Sequence, residues 1–159
     1  MSNASAPNPS AARRGDALLE RATSDDGSWS AYAKWGGALD AGFTVIPDVL
    51  LRAQQVLELD PVDLAIILNL VMHWWRTDEL PHPRPSVIAK RIGVTTRTVE
   101  RRLAKLQERQ LLVRLPPEKS KDNLTVRRFD LRGLVHQLAA LAAMNLADRP
   151  RSRVKQNSS

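Results

Sequence analysis

SVIAKRIGVTTRTVERRLAKLQERQLLVR, residues 86–114, spells two short helices joined by a sharp turn. Ser86 can cap the first helix, whose apolar side is Val87, Ile88 and Ile92. Gly93 stands where the chain must adopt a left-handed conformation to leave a helix abruptly. Val94 plugs the turn, and Thr95 is placed to cap a second helix over 96–110. Ala89, four residues before Gly93, has a side chain small enough for the second helix to pass close by, and Val99 is the matching apolar plug. Two helices joined by such a turn make a helix-turn-helix unit.

The second helix has two unlike faces. At about 100° per residue, Val99, Leu103, Leu106 and Gln110 fall within an arc of about 60°, and the three apolar members face a core. Arg97, Arg101, Ala104, Lys105 and Glu108 point the other way, with Thr96 and Glu100 flanking them near the N-terminal end. A helix rooted in a core, with two arginines and a lysine outward, suits the major groove of double-stranded DNA. There arginine bonds guanine bidentately and threonine reaches a phosphate or a thymine methyl. The DNA-contact candidates here are Ser86, Thr95, Thr96, Arg97, Thr98, Glu100, Arg101 and Lys105. The alternative is a solvated amphipathic helix that binds nothing.

The text downstream extends the pattern. Residues 111–115 (LLVRL) read as a strand, PPEKSKDN as a polar turn, and 124–129 (LTVRRF) as a returning strand. A basic hairpin directly after a recognition helix is a wing. Its tip lies along the backbone or in the minor groove and adds affinity more than sequence choice. Lys119, Lys121, Arg127 and Arg128 are its candidate contacts. The expected fold is therefore mainly α with a small β-hairpin wing, a winged helix-turn-helix with an additional C-terminal helix.

Residues 42–147 resemble winged helix-turn-helix domains of bacterial regulators, MarR- and GntR-type among them, and of DnaD-like or plasmid replication-initiator proteins. The resemblance rests on GVTTRTVERRL between a short helix and the leucines that lead into the first strand. It implies DNA binding and, through terminal helices, pairing of two copies on palindromic half-sites. In one respect the chain departs from the simple phage-repressor pattern. Three residues after Val99, where those motifs often carry an apolar residue, stands Arg102, and Leu103 takes the core position instead. The departure favours the winged variety.

Upstream, residues 1–27 are rich in Ser, Ala, Asn, Pro and Asp and read as a disordered tail. The domain then runs over 28–147. Trp29, Tyr32 and Trp35 fall along one side of a short helix ended by Gly36 and Gly37, and their rings are expected to act as a packing anchor. After Pro47 the chain is expected to form a short helix with Leu50, Leu51, Val56 and Leu57 apolar. Asp60 at an N-cap, Pro61 at the first helical position and Asp63 one turn in open the clearest helix of the chain. From Val62 to Trp75 it is apolar nearly all round, as befits a central core helix or a subunit contact. Pro81, Pro83 and Pro85 then impose an extended connection.

Downstream, Asp130 caps a last amphipathic helix in which Leu131, Leu134, Val135, Leu138, Leu141 and Ala142 recur at 3–4 spacing. It can fold back on the domain or pair with its copy. The expected homodimer uses Leu131, Leu134, Leu138 and Leu141, with the 62–75 helix as a second possible contact. Residues 148–159 read as a basic disordered tail.

Composition narrows the function classes. The chain has 159 residues, 24 Lys+Arg against 17 Asp+Glu, a formal charge of +7, 43% hydrophobic residues and no cysteine. That apolar content builds a core, and the missing thiols exclude disulfides, a thiol nucleophile and thiolate metal sites. No apolar run reaches the roughly 18 residues needed to span a bilayer, and the start of the chain does not read as a secretory signal. A cytoplasmic, nucleoid-associated protein without membrane partner is expected. Residues 1–80 carry 6 basic and 11 acidic side chains, residues 81–133 carry 14 and 5. One basic segment thus points to a polyanion. His73, His82 and His136 lack partners at metal-ligand spacing, helix capping accounts for Asp60 and Asp63, and no Gly-rich phosphate loop occurs. No enzyme and no cofactor are expected. The leading reading is a sequence-specific DNA-binding transcriptional regulator. A replication-initiation or partition factor of a plasmid or other mobile element is the second, and a winged-helix interaction module the third.

Overall fold

Asp60 shows how the chain starts its central helix. Its carboxylate accepts the backbone N–H groups of Val62 and Asp63 at 2.8 and 2.9 Å, and the Asp63 carboxylate accepts the Asp60 N–H in return. This reciprocal cap, with Pro61 at the first position, satisfies donors that a helix start leaves open. In the computed structural model, which describes residues 31–147, the chain divides into two units on either side of Val45 and Ile46. The expected tails at 1–27 and 148–159, and Trp29, lie outside the described residues.

In the first unit, helix α1 (Ala31–Trp35) passes at Gly36 into a 3-10 helix (Gly36–Ala41). Neither helix buries a residue, and Tyr32 and Trp35 stand exposed, so the expected packing anchor is not formed by these two rings.

The second unit holds α2 (Asp48–Arg52), α3 (Pro61–Met72), α4 (Pro85–Ile92), α5 (Thr96–Glu108), four two-residue strands and α6 (Arg132–Ala147). Its core joins Leu50 of α2, Ile66, Ile67 and Leu70 of α3, Ile88 and Ala89 of α4, and Val99, Leu103 and Leu106 of α5 to Leu111, Leu112 and Phe129. Helix α3 is shorter than its apolar text suggests. His73 caps its C-terminus, Trp74 packs half-buried on the core beyond it, and Trp75 is exposed.

One expected cap is corrected, and the other, Asp130, acts from one position earlier than the N-cap. Helix α4 begins one residue before Ser86, with Arg84 at the N-cap and Pro85 at the first position, so the Ser86 hydroxyl caps nothing. Pro85 does the same work by presetting φ where no N–H is required. At the other end, Asp130 belongs to a strand, and its carboxylate accepts the N–H of Arg132, the first residue of α6, at 2.9 Å.

The turn between α4 and α5 follows its text. Gly93 has φ +74°, its N–H and that of Val94 both reach the Ala89 carbonyl, and the Thr95 hydroxyl accepts the Thr98 N–H at 3.1 Å. Helix α5 ends at Glu108 with Arg109 as its C-cap, two residues short of the expected 110, and beyond it Gln110 takes φ +59° and lets the Leu111 N–H return to the Leu106 carbonyl.

The hairpin consists of β1 (Val113–Arg114) paired antiparallel with β4 (Phe129–Asp130), and β2 (Glu118–Lys119) with β3 (Thr125–Val126). Pro116 and Pro117 stand opposite Arg127 between the two ladders, so two residues face one and the register shifts by a residue. Prolines have no N–H to contribute, which is why the expected pair of long strands is broken here. Phe129, on the face away from β1, donates its N–H to the Pro81 carbonyl at 2.9 Å, tying the proline-rich connection to the base of the hairpin.

Helix α6 folds back. Leu131, Leu134 and Leu138, expected at a contact between copies, are buried in the chain's own core, and Leu141 packs against its edge. The 62–75 helix is likewise central, with Ile66, Ile67 and Leu70 taken up by the same core. Both corrections have one cause. A domain this small needs these apolar faces to close its own interior, which takes up the buried leucines and isoleucines and leaves only the partly buried Leu141 at the edge.

Candidate nucleic-acid interface

The basic side chains of the second unit divide into those held by carboxylates and those left outward. On the inner flank of α5, Arg102 pairs with Asp60 and lies 3.5 Å from Asp63, whose carboxylate is buried. Arg109 lies 3.9 Å from Asp63 and donates to the Glu58 carbonyl. Arg102 is the residue that departs from the simple repressor motif, and this contact explains it: a cation there matches a buried anion on α3. Burial alone would raise the Asp60 carboxyl. The Asp63 N–H, the Arg102 charge and the Val62 N–H outweigh it and hold Asp60 below the usual carboxylate value.

Arg114 of β1 bonds Glu100 at 3.1 Å, while its backbone N–H is accepted by the Gln107 side chain at 2.9 Å. These contacts fasten the hairpin to α5. They also assign Glu100, a candidate DNA contact, an intramolecular partner. Arg128 is paired with Glu118 across the hairpin. The Arg132 guanidinium, with its backbone N–H and charge, outweighs the effect of burial and holds the Asp130 carboxyl low.

Thr96, Arg97, Arg101 and Lys105 are different. All four are exposed on α5, and none of the three cations has a carboxylate partner among the described residues. Thr95 and Thr98 are occupied by the cap, their hydroxyls 3.0 Å apart. On the hairpin, Lys121 is exposed beside the turn, Arg127 is exposed at the register shift, and Lys119 Nζ lies 3.5 Å from the Asn123 carbonyl. Ser86 is exposed on α4. Helix α5 therefore presents Arg97, Arg101 and Lys105 outward with no carboxylate partner among the described residues, Glu108 being the one exposed acid on that face, and the hairpin follows from its C-terminal end.

One basic side chain outside the expected set is also held in place. Arg91, in the last turn of α4, reaches Asn69 Oδ1 at 3.3 Å and His73 Nε2 at 3.0 Å through Nη1. Asn69 and His73 are four apart at the end of α3, a spacing that puts both on one face and is legible in the text. Burial, then the charges of Arg91 and His82, hold the His73 imidazole below its ordinary value of 6.5. Among the described residues, no group of three His, Asp or Glu side chains is placed to hold a metal ion, and no helix is long and apolar enough to cross a membrane.

Helix, glycine turn, exposed second helix and bent hairpin define the class: a winged helix-turn-helix domain, closed by a C-terminal helix. No family model matches the chain, and no curated protein matches its sequence. Among solved structures, the N-terminal domain of DnaD protein from Geobacillus kaustophilus HTA426 is similar to it, with a TM-score of 0.51 at 18% identity, over 72% of this chain and 93% of that one. A possible transcriptional regulator from Methanosarcina mazei Go1 aligns at TM-score 0.39 and 19% identity, over 63% of this chain and 81% of that one. At these identities the likeness is one of fold.

Proposed function

We propose that the protein binds double-stranded DNA in a sequence-specific manner, without catalysing a reaction, and acts as a cytoplasmic transcriptional regulator. Helix α5 enters the major groove and the hairpin lies along the backbone or the minor groove. The observation that carries this reading is the sorting of charge on α5. Inward arginines are matched by Asp60 and Asp63, whereas outward Arg97, Arg101 and Lys105 are exposed and have no carboxylate partner among the described residues. A solvated helix face more commonly mixes both signs at i,i+4 spacing.

Selection of bound sequences from a random duplex pool, followed by salt titration, tests it. Arg97→Ala or Arg101→Ala is expected to cost about 1–3 kcal/mol on the selected site and to relax preference at one position. Lys121→Ala is expected to weaken all duplexes alike and to lower the salt slope by about 1. Unchanged binding by the Arg97/Arg101 double variant would sink the major-groove assignment. Two copies on adjacent half-sites would pair through the outer side of α6, where Val135 and Ala139 are exposed. Sedimentation with and without the selected duplex reads the stoichiometry.

A second reading, a replication-initiation or partition factor, draws on the fit to nearly the whole DnaD N-terminal domain. Both readings share the same DNA contacts. They separate on whether the selected sequence occurs singly at promoters or in clusters at an origin.

A further inference from the structure

We infer that Arg91 forms a phosphate-binding site on α4, and that His73 and Asn69 of α3 are the positioning residues that hold it ready. The inference rests on the DNA-binding reading and adds a site outside the set read from the sequence. Arg91 is exposed, yet it is not a free surface arginine. Its Nη1 is fixed between Asn69 Oδ1 at 3.3 Å and His73 Nε2 at 3.0 Å, with no carboxylate to neutralise it among the described residues. Acceptance by Nε2 requires a lone pair, so the ring is neutral with its proton on Nδ1. The restraint uses one terminal nitrogen. Nε and Nη2 have no partner among the described residues and stay available to an outside acceptor.

The surroundings fit a phosphate. Arg91 shares a shallow, open depression with Ser86, Val87 and Lys90, which supplies a hydroxyl and a second cation without a carboxylate partner among the described residues. Two neutral acceptors orient the guanidinium without cancelling its charge, whereas a carboxylate would do both. A planar fork held this way loses less freedom on meeting an oxyanion than a mobile one. The depression lies on the helix that precedes the recognition helix, so one turn of α4 would grip the backbone while α5 reads bases.

The test uses the full chain and a fluorescein-labelled 24-base-pair duplex of mixed sequence, titrated from low to moderate salt at pH 7.5. Arg91→Ala is expected to lower the slope of log K against log salt by about 1, the loss of one phosphate contact. His73→Leu, which keeps Arg91 but removes its acceptor, is expected to weaken binding about two- to tenfold, the cost of immobilising one long side chain on binding. His73→Gln, which can accept from Nη1, restores wild-type affinity. A role for His73 in folding alone would not separate Leu from Gln once thermal midpoints show both variants folded. An unchanged slope in Arg91→Ala, or equal binding by the Leu and Gln variants, overturns the inference while leaving the DNA reading intact. Absence of any salt-dependent duplex binding by the wild type overturns both.

Discussion

Asp63 serves two parts of this structure at once. It caps α3 through the Asp60 N–H and, almost fully buried, faces both Arg102 and Arg109 from α5. Removing it takes one carboxylate from both arginines, at a cost of about 3 kcal/mol, the low end for such pairs because Asp60 and Glu58 still face them. Asp63→Ala is therefore expected to destabilise the protein by that amount. Asp60→Ala, at the more exposed cap, is expected to cost about 0.5–2 kcal/mol. Urea unfolding midpoints check both, and similar losses for the two would show that Asp63 acts only as a cap. The cap could be read from the sequence, since Asp60, Pro61 and Asp63 lie within four residues. The ion pair could not, because Arg102 is 39 residues from Asp63 and nothing beside it in the sequence names its partner. Glu100 was opaque for the same reason: its partner, Arg114, sits 14 residues on in a strand.

At the scale of elements, two glycines fix how helices meet. Gly93 holds the α4–α5 turn at φ +74°, and open space surrounds its Cα. Gly93→Ala therefore costs only the left-handed strain, about 1–2 kcal/mol. Gly133 is the opposite case. Its backbone is ordinary, but a Cβ there would sit 2.0 Å from the Gln110 carbonyl oxygen, where α6 passes over the end of α5. The Leu134 N–H bonds the Leu111 carbonyl at 2.8 Å at the same crossing. Gly133→Ala is expected to cost upwards of about 3 kcal/mol, since neither backbone can give way cheaply. Thermal unfolding of the two variants side by side checks the order, and a milder effect at Gly133 would contradict the close crossing. The Gly93 turn was legible because it is local grammar: a glycine, a capping threonine and apolar spacing on either side. The Gly133 crossing was not, because nothing near residue 133 reports what lies above it. Helix α6 could likewise be read as a helix with an apolar stripe, but the stripe does not say whose core it fills.

Across the whole molecule, the lopsided charge of the sequence is resolved by pairing. Carboxylates from the acidic half, Glu58, Asp60 and Asp63, meet the inward arginines of α5 and leave the outward ones uncompensated. Stability should record this arrangement in its pH profile. His73 is held below 6.5, so as pH falls through that value the unfolded chain takes the proton first and stability drops. Asp60 and Asp130 are held below 3.8, so the stability they contribute is present above that pH and is lost as the native carboxyls protonate at still lower pH. Denaturant midpoints measured from pH 8 to pH 2 are expected to fall in these two stages. His73→Gln should abolish the upper stage and keep the lower, and an upper stage that survives would place that titration elsewhere.

The prolines that bend the hairpin and line its base also determine how the protein behaves when crowded. A short sheet with open edges invites strands from other molecules, because unpaired amides and carbonyls are a template for pairing. Pro81, Pro83, Pro116 and Pro117 withhold amides along both flanks, and the Pro81 carbonyl already occupies the outward N–H of Phe129. A neighbour seeking to extend the sheet would find few donors in register. The hairpin is thus expected to project from the domain without seeding fibres, and the prolines that withhold those amides contribute nothing to the basic face.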